Sequence, residues 1–171
     1  MISKKVQDAL NNQINAELYS AYLYYSMQAY FEELNLTGFA NWMGIQVQEE
    51  LAHTAKFTKF INERGGRVIP KAIECPPIEW ESPAAAFEAT YAHEQAVSAS
   101  INNLVDIAIA ENDHASKIFL DWFVSEQVEE EASVNAVVQK MKLMKDSPHG
   151  LFMIDRELAQ RVFTPPADQT T

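Results

Sequence analysis

Four stretches of this sequence put carboxylates where a helix should be apolar. Residues 47–57 read VQEELAHTAKF and hold Glu49, Glu50 and His53 within one helical run. Side chains three and four apart are neighbours on a helix, so Glu50 and His53 project together among apolar residues. Glu17 falls in the stripe of Leu10, Ile14, Ala21, Tyr24 and Phe31. Glu94 lies between Tyr91 and Val97, and SEQVEEE supplies Glu126, Gln127, Glu129, Glu130 and Glu131 after Trp122.

A buried carboxylate is expensive unless it is paired or bound to a cation. Four of them on four apolar stripes with few cationic side chains would repel one another. Metal is the natural counter-charge. Carboxylate oxygens with one imidazole suit a hard or borderline divalent ion such as iron or manganese. Two metals bridged by a shared carboxylate fit this ligand number. Each feature alone is commonplace: a solvated glutamate, a packed tyrosine, an exposed acidic run. Their conjunction at one level of a bundle carries the argument. The H-E-x-x-H zinc motif is absent, because position 49 is Glu. His93 points about 100° away from Glu94 around its helix. With His114 and His149, near helix starts, it is read as a non-ligand.

The elements that must position these groups are long helices. Apolar residues at helical spacing predict helices over about 4–34, 37–64, 83–111 and 114–145, and a short one over about 148–162. Asn35 to Gly38, Gly65-Gly66 and Asn112-Asp113 break the pattern. Ser82-Pro83 and Ser147-Pro148 each supply an N-cap followed by proline at the first helical position, and Asp113 is placed to cap the fourth helix. Helices of this length span roughly 40–48 Å and cover their apolar faces only by lying alongside one another. Short links make the first and second, and the third and fourth, antiparallel pairs. Residues 66–82, with Pro70, Pro76 and Pro77, have no helical period. At ~3.3 Å per residue this link reaches about 56 Å, enough to traverse the bundle. The expectation is an all-α, single-domain fold over 1–171: a four-helix bundle with one long crossover and a short fifth helix. LeuPheMetIle at 151–154 is expected to be buried against other subunits, Cys75 to be a packed thiol, and the ADQTT tail to be frayed.

Composition narrows the functions. Lys plus Arg is 13 against 24 Asp plus Glu, a formal charge of −11. That balance argues against a nucleic-acid partner. The single cysteine excludes an intrachain disulfide and CxxC metal clusters. No run approaches the ~18 apolar residues of a membrane span, and the N-terminus turns polar at once. A cytoplasmic location without membrane attachment is expected.

At the residues singled out, the sequence resembles the bacterial-type non-haem ferritins. NAELYSAYLY around Glu17 and Tyr24, QEELAHTAKF around Glu50 and His53, AHEQAVSASI around Glu94, and FVSEQVEEE around Gln127 and Glu130 carry the resemblance. It extends over almost the whole chain. It implies a hollow shell of twenty-four subunits with a di-iron ferroxidase centre in each bundle. Glu17, Glu50 and His53 would hold the first iron, and Glu50 would bridge to a second held by Glu94 and Glu130. Gln127 would neighbour the second iron, and Tyr24 would sit just outside the first. Glu49, Glu126, Glu129 and Glu130 would form a third iron site. The implied reaction is oxidation of Fe(II) by dioxygen, with hydrogen peroxide as an alternative oxidant, and storage of ferric oxyhydroxide. Gln127-x-x-Glu130 replaces the second Glu-x-x-His of bacterioferritins and rubrerythrin-like oxidases, and Leu51 stands where a haem-binding bacterioferritin offers methionine. No haem is expected. The rival reading is a di-iron oxidase or peroxidase without storage.

Overall fold

A computed structural model describes residues 1–144 and 147–165. The described residues form five helices: α1 (Lys4–Glu33), α2 (Thr37–Glu63), α3 (Pro83–Ala110), α4 (His114–Met144) and α5 (Pro148–Leu158). The tail ADQTT lies outside them. None of the helices is long and apolar enough to cross a membrane.

Local chemistry sets the ends. The Oγ atoms of Ser3, Ser82 and Ser147 each accept from a backbone N–H in the first turn of α1, α3 and α5. Asp113 does the same for α4, accepting from Ser116 N at 3.1 Å. The first three helices stop alike. Asn35, Gly65 and Asn112 adopt φ of 57°, 72° and 55°, the left-handed conformation that reverses a helix. The following N–H then reaches back to a carbonyl in the last turn: Leu36 to Phe31 at 3.0 Å, Gly66 to Ile61 at 2.9 Å, Asp113 to Ala108 at 2.8 Å.

α1 packs most closely on α2, and α3 on α4. The crossover runs the length of α1. At one end Asn11 Oδ1 accepts from Ile69 N at 2.6 Å, and Asn11 Nδ2 donates to Arg67 O at 3.0 Å. At the other, Ser26 Oγ donates to Pro77 O at 2.7 Å and Tyr30 Oη to Trp80 O at 3.1 Å. Asn11 and Tyr30 are about 28 Å apart along the helix axis, at 1.5 Å per residue. Cys75 sits on the solvent side of this strap and is exposed, not packed.

The core is two apolar clusters with a polar layer between them. One is built on Met27, Phe31, Phe39, Phe87, Val138 and Ile154. The other is built on Leu10, Ile14, Phe57, Ile61, Ile101 and Phe123. Each long helix passes from one cluster to the other, and its buried polar residues fall at the change-over, except Asn11, which holds the crossover, and Ser116, in the first turn of α4.

α5 departs from expectation in part, because Ile154 is covered by its own bundle. It folds onto its own bundle, with Ile154 and Leu158 buried in the first cluster, while Phe152 and Met153 face outward. Asp155 Oδ1 accepts from Gly38 N at 2.7 Å and Phe39 N at 3.2 Å, two N–H groups at the start of α2. The contact is close because residue 38 has no side chain: a Cβ there would lie 1.7 Å from Asp155 O. The helix ends at Leu158, before the sequence pattern does, because Asn41 Nδ2 takes the carbonyls of Leu158 and Arg161 at 3.1 Å each.

Candidate metal centre

Glu17, Glu50, His53, Glu94, Gln127 and Glu130 all lie in the polar layer, none more than 6 % exposed. α1 brings Glu17, α2 brings Glu50 and His53, α3 brings Glu94, and α4 brings Gln127 and Glu130.

Three of them converge. One ligand atom each from Glu17, Glu50 and His53 lies within 4.8 Å of the others. His53 Nδ1 is 3.7 Å from Glu17 Oε2 and 3.5 Å from Glu50 Oε2. These separations exceed a normal hydrogen bond. Both carboxylate oxygens are buried without a hydrogen-bond partner, as is His53 Nε2. Metal–ligand bonds of about 2.0–2.2 Å place ligands of one ion up to roughly 4.4 Å apart. The trio therefore closes on an ion with small side-chain movement, and its donor set suits iron.

Glu94 and Glu130 are not part of that trio. Glu94 accepts from Tyr24 Oη at one oxygen and from Gln127 Nε2 at the other, the latter at 3.0 Å. Glu130 Oε2 accepts from Gln46 Nε2 at 3.0 Å. Glu49 is part-buried and accepts at Oε2 from Arg161 Nη2 at 2.8 Å. Glu126 is part-buried and Glu129 exposed, and they line an open acidic cavity with Glu49 and Glu130.

Electrostatics reflect the crowding. Burial drives the Glu50 carboxyl well above the ordinary carboxylate range; His53 opposes this and Glu17 reinforces it. Burial also raises Glu17, but His53, Glu50 and Gln13 outweigh it and hold that carboxyl low. Burial lowers His53, yet Glu17 and Glu50 outweigh it and keep the imidazole well above its usual value. Burial raises Glu94, with Tyr24 and Gln127 pulling the other way. Burial and then the charge of Glu94 push Glu130 up to about 7. Burial takes Glu49 to about 7 as well, against the pull of Arg161. Tyr24 is raised well above 10 by burial, then by Glu94 and Glu50, so it remains a hydroxyl donor.

Sequence reasoning missed the residues that brace these groups. Gln13 Nε2 donates to Glu17 Oε1 at 2.9 Å, and Ser100 Oγ in turn donates to Gln13 Oε1 at 2.6 Å. Gln13 stands four residues before Glu17, and Gln46 four before Glu50, so helical spacing was a usable signal for both. His93 is part-buried, with Nε2 2.8 Å from Ser20 Oγ and its ring 5.9 Å from that of Tyr24. His53 packs edge-on against Trp122, with ring centroids 5.5 Å apart. Arg161 had no sequence signal at all.

A four-helix bundle with one long crossover and a buried carboxylate–histidine layer is the architecture of the di-iron carboxylate class. The family described as Ferritin-like domain matches residues 7–144. A bacterial non-heme ferritin from Bacteroides fragilis is 46 % identical over 161 residues, spanning 94 % of this chain and all of that protein. An engineered closed form of the Archaeoglobus fulgidus ferritin superposes with a TM-score of 0.95 at 52 % identity, covering 96 % of this chain and 100 % of that one. The open-pore ferritin of the same archaeon gives a TM-score of 0.93, with 95 % and 100 % covered. The chain belongs to the ferritin family.

Proposed function

We propose that this protein is an iron-storage ferritin with ferroxidase activity. It oxidises Fe(II) with dioxygen at a centre inside each bundle and stores ferric oxyhydroxide within a homo-oligomeric shell of twenty-four subunits. The observation that carries this reading is the convergence of Glu17, Glu50 and His53, with two buried carboxylate oxygens lacking partners.

Fe(II) is substrate here. Glu17, Glu50 and His53 hold the first ion, and Glu50 is shared with a second held by Glu94 and Glu130. Carboxylates stabilise Fe(III) more than Fe(II), which favours electron loss, and paired ions can deliver two electrons to oxygen together. Gln127 and Tyr24 keep Glu94 oriented by donating to its two oxygens. Glu17 is already ionised, while Glu50 and Glu130 give up protons as cations enter. Glu49, Glu126 and Glu129 offer Fe(II) a third acidic position beside Glu130. The formal charge of −11 draws cations towards the protein.

The test is aerobic addition of excess Fe(II) to the metal-free protein, then size-exclusion chromatography with iron and protein measured in each fraction. Iron far above about three per chain, eluting with a large assembly, is the expected result. Iron that stops near two or three per chain, or precipitates, replaces this reading with a di-iron oxidase that does not store. Glu50→Ala is expected to abolish the rapid oxidation phase.

A further inference from the structure

Beyond Leu158 the chain turns back along α2 and delivers Arg161 to the mouth of the acidic cavity. Its guanidinium lies 4.6 Å from the ring centroid of Trp42. Nη1 donates to Gln46 Oε1 at 2.5 Å and to Trp42 O at 3.5 Å, and Nη2 donates to Glu49 Oε2 at 2.8 Å. Gln46 passes the connection inward, donating from Nε2 to Glu130 Oε2 at 3.0 Å. One side chain therefore touches the carboxylate at the cavity mouth and, through a single amide, a carboxylate of the polar layer. The cavity itself holds about 280 Å³, bounded by Glu49, Glu126, Glu129, Glu130, Arg161 and Thr164.

We propose that Arg161 is a resident counter-cation of this cavity, and that a metal entering there must compete with it for Glu49 Oε2. The lone pair that accepts from a guanidinium at 2.8 Å is not free for a metal, and two cations a few Å apart repel. Occupying the cavity and keeping the Arg161–Glu49 pair are thus alternatives at that oxygen. Arg161 is a positioning residue for Glu130 as well. When it leaves, Gln46 loses the bond that fixes its amide, and Glu130 loses a fixed donor. The planar fork is essential to this arrangement, since it spans Gln46 and Glu49 while stacking on Trp42. A lysine keeps the charge but not the span.

The cavity's metal preference draws on the function proposed above, so the experiment separates the two. Zn2+, which does not change oxidation state, is titrated calorimetrically into the metal-free full-length protein and its variants. Wild type is expected to show tight binding in the polar layer and weak binding at the cavity. Arg161→Ala is expected to strengthen the cavity phase about tenfold or more, the scale of one charge-assisted pair. Adding Glu129→Gln to Arg161→Ala removes that gain, because Glu129 lines the cavity and is not among the buried residues of the polar layer. Arg161→Lys falls between wild type and the alanine variant. Circular dichroism checks the fold. If the alanine variant does not fold, Arg161→Gln and Arg161→Lys carry the same comparison with long side chains. Cavity affinity equal to or weaker than wild type in the folded variants overturns the inference. A tight polar-layer phase missing from every protein, with the cavity gain intact, overturns the di-iron reading and leaves Arg161 in its role.

Discussion

Gly38→Ala distinguishes local propensity from tertiary contact by the sign of its effect. In the first turn of an exposed helix, replacing glycine by alanine gains up to ~1 kcal/mol. Here the new Cβ would lie 1.7 Å from Asp155 O, 2.6 Å from Asp155 C and 3.0 Å from Ala159 N, all backbone atoms that no rotamer change can move. Ordinary contact needs about 3.5 Å or more, so α5 must retreat by well over 1 Å. That retreat breaks the hydrogen bonds from Gly38 N and Phe39 N to Asp155 Oδ1. Hydrogen bonds to a charged group contribute about 1.5–3 kcal/mol each. Ile154 and Leu158 lose part of their burial too, each worth about 1.5–3 kcal/mol when complete. The expected net loss is about 3–6 kcal/mol. The assay is urea unfolding of metal-free wild type and variant at one protomer concentration, because assembly contributes to apparent stability. Asp155→Asn, which keeps an acceptor oxygen, is expected to cost only about 1 kcal/mol. If α5 also delivers Arg161, Gly38→Ala reproduces the tighter Zn2+ binding of Arg161→Ala. An unchanged or raised urea midpoint for Gly38→Ala would mean that α5 does not dock on α2 as described, and the reasoning fails.

The remaining predictions concern charge. Zn2+ binding to the metal-free centre at pH 7 is expected to release more than one proton per chain. About half a proton comes from Glu130, whose carboxyl is pushed up to about 7, and the rest from Glu50 and His53, both held protonated by their surroundings. The release shrinks and affinity grows as pH rises; calorimetry in buffers of different ionisation enthalpy measures both, and proton uptake would contradict the picture. Tyr24→Phe removes a donor to Glu94, so burial acts on that carboxyl with less opposition. Slower Fe(II) oxidation with little change in fold is expected by stopped-flow absorbance, and an unaltered rate would remove Tyr24 from the mechanism. Burial raises Asp113, but Arg64 and Ser116 outweigh it and leave its carboxyl below 3.8. Its contribution to stability is therefore complete above the unfolded value and disappears as pH falls through the lower, folded one. Asp113→Ala, which also removes the α4 cap, is expected to cost about 1–2 kcal/mol at neutral pH and less in acid.

Helical period and end chemistry sufficed for the four long helices, because caps, left-handed Asn35 and Asn112, and Gly65 act over one or two turns of chain. The ligand candidates were legible for a related reason. A glutamate in an apolar stripe is visible wherever the stripe is, and Glu17, Glu50, His53, Glu94 and Glu130 all interrupt one. The braces Gln13 and Gln46 obeyed the same spacing but carry no charge, so spacing was the one signal that marked them. What sequence could not supply was contact between segments far apart in the chain. Cys75 is exposed because the crossover lies outside the bundle, and no local pattern says which side of such a strap is covered. The apolar run 151–154 divides between core and surface only once Gly38 admits α5 to α2. Arg161 reaches Glu49 across 112 residues, through a turn set by Asn41. Local preferences are written in neighbouring residues, but pairing at that separation depends on where whole helices come to rest, and packing alone decides that.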